Sequence, residues 1–219
     1  MQENYWNNRW ITGQTAWHMS ETNPRLKEHF HLLELIKGDS VFVPLCGQSL
    51  DLNFLLEKDL CVTGLDISPV AAYKSFESQS VGFKSYPLES GQVVQAMRSK
   101  LTYIIGDFFK TIPRLSLNFM AIWDRASLVA ISPDTRKKYG EINSQILSDN
   151  GKILLDTISY ESSELLGPPF SVNIEDVKNI YPGFKVEQIL CSNFPTTKPR
   201  FLESGINELT QNLFVLSRA

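Results

Sequence analysis

A glycine turn and an acidic residue that follows it are the first candidates for ligand binding in this chain. The apolar run 41–43 leads into a turn with Leu45 and Gly47, and a second, mostly apolar run, 61–65, ends at Asp66. A strand, a glycine turn, a helix and a second strand that ends in an acid form the nucleotide-binding half of a doubly wound α/β fold. We therefore expect the turn to contact a cofactor and the acid to accept hydrogen bonds from a ribose diol.

The glycine pattern also limits the kind of cofactor. No G-x-G-x-x-G motif occurs, so the turn is not laid out to hold a pyrophosphate at a helix N-terminus, as a nicotinamide dehydrogenase requires. A ribose-bearing cofactor without phosphates fits better, and S-adenosylmethionine is the common one. Two plainer interpretations stay open. The turn could be only a strand end, and Asp66 could be only a cap for the next helix.

Further candidates lie at a later strand end and near the N-terminus. Asp124 and Arg125 end a predicted strand at the sheet edge where open α/β folds bind ligands, with a salt-bridged strand end as the alternative. His18 is a candidate general base, although a single histidine near a terminus is more often structural. Three tryptophans at spacings of four and seven are typical of one helix face packed on the core: Trp6, Trp10 and Trp17.

Composition and charge describe a globular protein. Of the 219 residues 42% are hydrophobic and 21% charged, and the formal net charge is −3. No run of five basic residues occurs, so we expect no nucleic-acid partner. No apolar run reaches 18 residues and no leader pattern occurs, so we expect no membrane span and a cytoplasmic protein. The three widely spaced cysteines match no zinc spacing, and we expect no metal.

Periodicity and turn residues predict alternating strands and helices. The predicted strands are 40–45, 61–66, 101–106, 119–124, 152–158, 184–191 and 212–217. Predicted helices cover 24–37, 49–58, 133–148 and 174–181, and another begins at Pro69. The segment 80–100 is predicted to be a loop with one short helix near 91–98. This order predicts a doubly wound, mainly parallel seven-stranded sheet with helices on both faces and an antiparallel ending, which is the class I methyltransferase arrangement.

Short motifs spread over nearly the whole chain support a more specific interpretation. They are Tyr5–Trp10, Gly13–His18, Val43–Gly47, Ser49–Asp51, Gly64–Pro69, Gly106–Phe109, Ile122–Ile131, Gly167–Phe170 and Asn193–Gly205. In this order and spacing they resemble the thiopurine S-methyltransferase family. The resemblance implies a Rossmann-like, class I methyltransferase domain over residues 1–219, in which residues 1–23 cover the cofactor site.

The resemblance also implies a role for each matching residue. The donor S-adenosylmethionine, which becomes S-adenosylhomocysteine, is assigned to Trp6, Trp10, Leu45, Gly47, Asp66, Asp107, Phe108 and Arg125. Within that set, Asp107 accepts from the adenine amine and Phe108 stacks on the ring. The acceptor is assigned to Trp17, Pro169, Phe170 and Arg200. Asp124 and Arg125 are the catalytic candidates: the arginine favours a thiolate, and the acid or a water takes a remaining proton.

The expected reaction is methyl transfer to the sulfur of an aromatic or heterocyclic thiol by a monomeric protein. Two alternatives stay open. The same fold could methylate small thiols or selenium and tellurium compounds in detoxification, or it could bind the donor without catalysis. No sequence feature separates these acceptors.

Overall fold

A computed structural model describes residues 3–79, 81–162 and 167–219, and this part of the chain forms a single mixed sheet of nine strands. The strands are β1 (Ser40–Val43), β2 (Cys61–Asp66), β3 (Phe83–Leu88), β4 (Gly91–Ala96), β5 (Leu101–Gly106), β6 (Phe119–Arg125), β7 (Leu147–Ser159), β8 (Phe184–Pro195) and β9 (Glu208–Arg218). Their order across the sheet is β3-β4-β5-β2-β1-β6-β7-β9-β8.

Helices lie in the connections between strands and in the N-terminal segment. They are α1 (Glu3–Ile11), α2 (Pro24–His29), α3 (Asp51–Glu57), α4 (Pro69–Gln79), α5 (Phe108–Thr111), α6 (Arg136–Ile146), α7 (Ile174–Ile180) and α8 (Pro199–Glu203). Short 3-10 turns cover Phe30–Leu33, Ile112–Arg114, Leu128–Ala130 and Pro133–Thr135. Several helices are shorter than predicted. The helix expected over 24–37, for example, ends at His29 and continues only as a 3-10 turn before Glu34 adopts a left-handed conformation.

Two apolar cores cover the two faces of the sheet. Along β1, Phe42 belongs to one core while Val41 and Val43 belong to the other, because successive side chains of a strand point to opposite faces. Along β6 the same alternation places Ile122 in the first core and Trp123 in the second. A sheet that is buried on both faces in this way is the expected form of a mainly parallel α/β fold.

The strand order creates a cleft beside β1. From β1 the chain continues to β2 and then β5 on one side, and later to β6 and β7 on the other, and all of these neighbours pair in parallel. Strand β1 is therefore the point at which the winding reverses, and ligands of open α/β sheets bind beyond the carboxyl ends of the strands at such a point. The turn after β1 and the end of β6 border this cleft.

All seven predicted strands are present, and the structure adds a hairpin, β3 and β4, within the segment predicted to be a loop. The short helix predicted near 91–98 is wrong. Gly91 begins β4 with φ at 151°, a conformation that glycine tolerates, and Val94 is fully buried where β4 pairs with β5. The pair Val93-Val94 favours a strand because β-branched side chains pack well on a pleated surface.

Candidate active site

The turn after β1 has a conformation that few sequences accept. Leu45 and Gly47 both lie in the left-handed region, with φ at 46° and 53°, and Leu45 is the costlier of the two because it carries a side chain. A Cβ on Gly47 would overlap the indole of Trp10. Position 47 therefore requires glycine for its conformation and for the close approach of this tryptophan.

Asp66 joins this turn to the end of β2. Its Oδ2 accepts a hydrogen bond from the backbone N–H of Gly47 at 2.9 Å, and its Oδ1 accepts one from Ser68 at 2.9 Å. Burial raises the pKa of this carboxyl to about 6, against the opposing effect of backbone hydrogen bonds from Ser68, Gly47 and Ile67. Asp66 thus fixes the backbone at the carboxyl ends of two strands, and each oxygen keeps acceptor capacity for a further donor.

Tyr103 is a supporting residue that sequence reasoning missed. This fully buried side chain of β5 donates its hydroxyl hydrogen to the carbonyl oxygen of Gly47 at 2.7 Å. The feature of the sequence that could have indicated this role is the tyrosine hydroxyl at the start of the otherwise apolar run 103–105. A buried tyrosine hydroxyl needs a hydrogen-bond partner, and the turn carbonyl supplies one.

Three tryptophans form one aromatic cluster above the turn. The ring centroids of Trp6 and Trp17 are 5.3 Å apart, and those of Trp10 and Trp17 are 6.1 Å apart, both edge to face. The guanidinium of Arg9 lies 5.4 Å from the Trp17 ring centroid. Trp10 is the most buried of the three, with 5% of its surface exposed. The cluster places the N-terminal segment over the cleft.

Arg125 connects the end of β6 to this segment. Its Nη1 donates a hydrogen bond to the backbone carbonyl oxygen of Trp17 at 2.9 Å. Burial lowers the pKa of the guanidinium, and the nearby carboxylates of Asp156 and Asp51 oppose that effect. A guanidinium stays protonated under such conditions, so Arg125 provides a fixed positive charge at the cleft.

The structure brings Arg200 together with the predicted proline loop. Its Nη1 and Nη2 donate to the carbonyl oxygens of Pro168 at 2.5 Å and of Pro169 at 3.2 Å. The hydroxyl of Tyr160 also donates to Pro169, at 3.0 Å, and the backbone N–H of Phe170 donates to Val129 at 2.7 Å. These contacts join helix α8 to the loop, and the role of both in acceptor binding stays a prediction.

One narrow cavity joins the turn, the tryptophan cluster and the end of β6. Its volume is about 20 Å³, and its lining consists of Trp10, Trp17, His18, Met19, Glu21, Cys46, Ser49, Leu50, Asp51 and Arg125. A volume of this size holds about one water molecule. Trp10, Trp17 and Arg125 are thus brought together, whereas Arg200 and the proline loop do not line this cavity.

Comparison with known proteins decides the family. The profile described as thiopurine S-methyltransferase (TPMT) matches residues 1–219. The chain belongs to this family. It is 34% identical to a thiopurine S-methyltransferase of Nitrosospira multiformis, over 99% of this chain and 98% of the relative. A thiopurine S-methyltransferase of Pseudomonas aeruginosa is 32% identical, with both chains fully covered. The protein is therefore an S-adenosylmethionine-dependent S-methyltransferase.

A solved structure supports the fold independently. A TehB-like SAM-dependent methyltransferase from Corynebacterium glutamicum superimposes with a TM-score of 0.57 at 14% identity, over 99% of this chain and 98% of the other. At this identity the likeness concerns the fold alone. It confirms the class I methyltransferase arrangement that the sequence predicted.

The structure corrects the role predicted for Asp124 in this thiopurine S-methyltransferase family member. Asp124 is fully buried on the opposite face of β6 from Arg125, since neighbouring side chains of a strand alternate. Its Oδ2 accepts from the Tyr139 hydroxyl at 2.7 Å, and its Oδ1 accepts from the backbone N–H of Leu128 at 3.4 Å. Burial raises its pKa to about 6. The carboxyl holds the turn after β6 and has no access to an acceptor.

The predicted stacking of Phe108 on adenine is also wrong in this structure. The Phe108 ring is fully buried, with its centroid 4.7 Å from that of Tyr139 and 6.5 Å from that of Phe42. A ring enclosed by other aromatic rings offers no face to a ligand. Its neighbour Asp107 caps α5 by accepting from the backbone N–H of Phe109 at 2.8 Å, and it remains at the edge of the cleft.

The described ranges, 3–79, 81–162 and 167–219, contain no group of three or more His, Cys, Asp or Glu side chains that could hold a metal ion. None of their helices is both long and apolar enough to cross a membrane.

Proposed function

We propose that this protein methylates the sulfur of an aromatic or heterocyclic thiol in the cleft beside β1. One observation carries this proposal: Cys46 of the turn, Trp10 and Trp17 of the tryptophan cluster and the partly buried cation of Arg125 all line one cavity. The turn, which is hydrogen-bonded to Asp66, can bind an adenosyl group through the carboxylate. The positive charge of Arg125 can stabilise an anionic sulfur. Thiopurines are the acceptors in the names of the relatives, and they are heterocyclic thiols of this kind.

The donor site lies at the turn of Leu45 and Gly47. The free acceptor capacity of Asp66 serves the ribose hydroxyls, and Asp107 serves the adenine amine. Pockets for ligands of this size have volumes of several hundred Å³, whereas the cavity here has about 20 Å³. The donor therefore takes the place of the Trp10 ring on Gly47. Trp6 and Trp10 then cover the methionine part and shield the sulfonium from water.

The acceptor site lies on the other side of Arg125. Trp17 contributes an aromatic surface, and Pro169, Phe170 and Arg200 contribute the opposite wall. Both arginines stay charged and can bind the edge of a heterocycle in a fork. The acceptor sulfur must lie roughly 3–3.5 Å from the methyl group and in line with the bond that breaks. The protein contributes to the reaction by aligning the two substrates, excluding water and placing a positive charge beside the thiolate.

We also propose a domain organisation, a cellular location, an oligomeric state and a physiological role for this protein. Residues 1–219 form one methyltransferase domain with residues 1–23 as its cover, and the protein acts as a cytoplasmic monomer. Its reaction needs no metal, because the sulfonium already activates the methyl group. A detoxifying role fits an enzyme whose acceptor wall is built from prolines and an aromatic ring, which favour flat apolar molecules over one defined metabolite.

The test is transfer of labelled methyl groups from S-adenosylmethionine to a panel of acceptors. We expect aryl and heterocyclic thiols to be methylated with higher kcat/KM than alkyl thiols, selenite or tellurite. The S-methyl product is identified by mass spectrometry. Donor binding without transfer to any acceptor would contradict the proposal and support a non-catalytic binding protein. Faster transfer to selenite or tellurite would support the detoxification alternative.

A further inference from the structure

His18 lies in the cavity with a free ring, although its position near the N-terminus suggested a structural role. The side chain lines the cavity together with Trp17 and Arg125. Its backbone N–H donates to the Thr15 carbonyl at 2.8 Å, and this turn directs the side chain towards the cavity. The ring contacts Trp10, with 6.0 Å between centroids. Within the described ranges no hydrogen bond is formed by either ring nitrogen.

The other ionisable groups of the cavity are unsuitable as proton acceptors. Asp51 is 3% exposed, and its two oxygens accept from the backbone N–H of Asn23 at 2.7 Å and from the indole of Trp123 at 2.8 Å. Burial and the charge of Asp66 raise the pKa of the Cys46 thiol far above its usual value. Glu21 lies at the exposed rim. His18 is the group that combines access to the cavity with free acceptor capacity.

The charges around His18 keep its ring neutral. Burial lowers the pKa of His18, and the positive charges of Arg125 on β6 and Lys74 on α4 lower it further. The other charged groups near it are Asp51 on α3, Glu21 in its own segment and Arg9 on α1, which lies over Trp17. A histidine whose pKa is below its usual 6.5 is mostly unprotonated near pH 7. Its ring is then available to receive a proton.

We propose that His18 is the general base that removes the proton from an acceptor's S–H group. This inference rests on the proposed function and deepens it. The thiol proton passes to a ring nitrogen of His18, the sulfur electron pair forms a bond to the methyl carbon, and the carbon–sulfonium bond breaks. The products are a methyl thioether, neutral S-adenosylhomocysteine and an imidazolium. Arg125 destabilises that imidazolium, so the proton passes on to water.

A division of labour between Arg125 and His18 follows. The guanidinium stabilises a thiolate once it exists, whereas the imidazole creates it from a thiol. Acceptors that are already ionised at the assay pH, such as 4-nitrothiophenol, need only the arginine. Acceptors that remain protonated need both. The consequence of losing His18 therefore depends on the acidity of the acceptor.

The test compares wild type with His18→Gln on two acceptors, 4-nitrothiophenol, which is ionised at neutral pH, and benzyl mercaptan, which is not. General bases contribute about 10²–10⁴-fold. We expect kcat/KM for benzyl mercaptan to fall by ~10²-fold or more, and kcat/KM for the nitrothiophenol to change by less than ~3-fold. The loss with benzyl mercaptan should shrink as the pH approaches the thiol pKa, and added imidazole should restore part of the rate.

Two controls separate this proposal from simpler explanations. His31→Gln changes an exposed histidine whose ring contacts only the carbonyl of Glu28 among described residues, and it should behave as wild type. Unchanged S-adenosylhomocysteine affinity shows that His18→Gln is folded. An equal loss with both acceptors, or no loss with either, would overturn the role as base. Failure of the wild type to methylate 4-nitrothiophenol would instead overturn the proposed function, whereas failure with benzyl mercaptan alone would overturn the role of His18 as a base.

Discussion

The donor half and the acceptor half of this cleft are built by different means. In the donor half, short-range backbone geometry and a buried carboxylate fix one turn: Gly47 and Ser68 both donate to Asp66. In the acceptor half, arginines on distant segments hold loops by their carbonyl oxygens. Arg125 reaches Trp17 across 108 residues, and Arg200 reaches Pro168 across 32.

Buried backbone hydrogen bonds at strand ends produce a rigid site, because leaving any of those groups unpaired is costly. Side-chain contacts to loop carbonyls can be exchanged for contacts to a ligand at smaller cost. We therefore expect the donor half to set which cofactor is used, and the acceptor half to determine which thiols are accepted.

The largest effect should come from breaking the donor half. Asp66→Ala removes the acceptor of two backbone N–H groups and of the ribose diol. It should weaken S-adenosylhomocysteine binding by about 1.5–3 kcal/mol, the range for charge-assisted hydrogen bonds. Calorimetry measures this, with Asp149→Ala as a control, since the Asp149 side chain is fully exposed. Unchanged affinity in a folded Asp66→Ala protein would remove Asp66 from the donor site.

Losing Arg200 should impair the acceptor half and spare the donor half. Arg200→Ala should raise the acceptor KM by ~10-fold, because a charged hydrogen-bond donor of the wall is lost, and it should leave donor affinity within about twofold. Arg125→Ala should lower kcat and disturb both ligands, because Arg125 also holds the cover. Steady-state kinetics with an aryl thiol distinguish the two. Arg114→Ala, at an exposed surface arginine, is the control. Identical profiles for Arg125→Ala and Arg200→Ala would contradict a divided cleft.

The smallest effect on activity should come from Asp124→Asn. Turnover should stay within about threefold of wild type, far short of the ~10²–10⁴-fold loss expected for a general base.

The pH dependence of stability should change instead. The folded-state pKa of Asp124 is raised from 3.8 to about 6, so the native protein takes up a proton more readily than the unfolded chain. Its contribution to stability is present at low pH and is lost as the pH rises through this window.

Urea unfolding between pH 4 and pH 7 measures that contribution. Wild type should lose stability as the pH rises from about 4 to about 6, with Asp66 contributing in the same direction. Asp124→Asn should show a flatter dependence, because an amide does not titrate. An unchanged slope would show that Asp124 has an ordinary pKa in the folded protein. That result would contradict its placement in a buried pair with Tyr139.

The sequence predicted the strands and the turn beside the cleft better than it predicted which side chains face the cleft, for physical reasons. Strand β1, the glycine turn and the acid after β2 are set by local apolar runs and by one left-handed glycine, all visible along the chain. Hairpin β3–β4 was missed because its stability comes from pairing with β5, a contact that local sequence does not show. The motifs did predict that Arg200 meets the proline loop.

The two wrong site assignments share one cause. Asp124 and Phe108 each follow or precede a residue that borders the cleft, namely Arg125 and Asp107. The face to which a side chain points, however, depends on its place in the strand or helix. Alternation on β6 directs Arg125 to the cleft and Asp124 to the core. Phe108 begins α5 and its ring packs against the buried ring of Tyr139. His18, by contrast, lies in the cavity because its backbone N–H donates to the Thr15 carbonyl, and this turn directs the side chain there.

A crystal structure with bound S-adenosylhomocysteine would show directly whether Asp66 and the tryptophan cluster hold the donor. We expect the ribose hydroxyls within hydrogen-bond distance of Asp66, the Trp10 ring moved off Gly47 and packed over the homocysteine, and Arg125 facing the sulfur. A ligand bound elsewhere, with Trp10 still seated on Gly47 and both Asp66 oxygens contacting only backbone, would contradict this assignment.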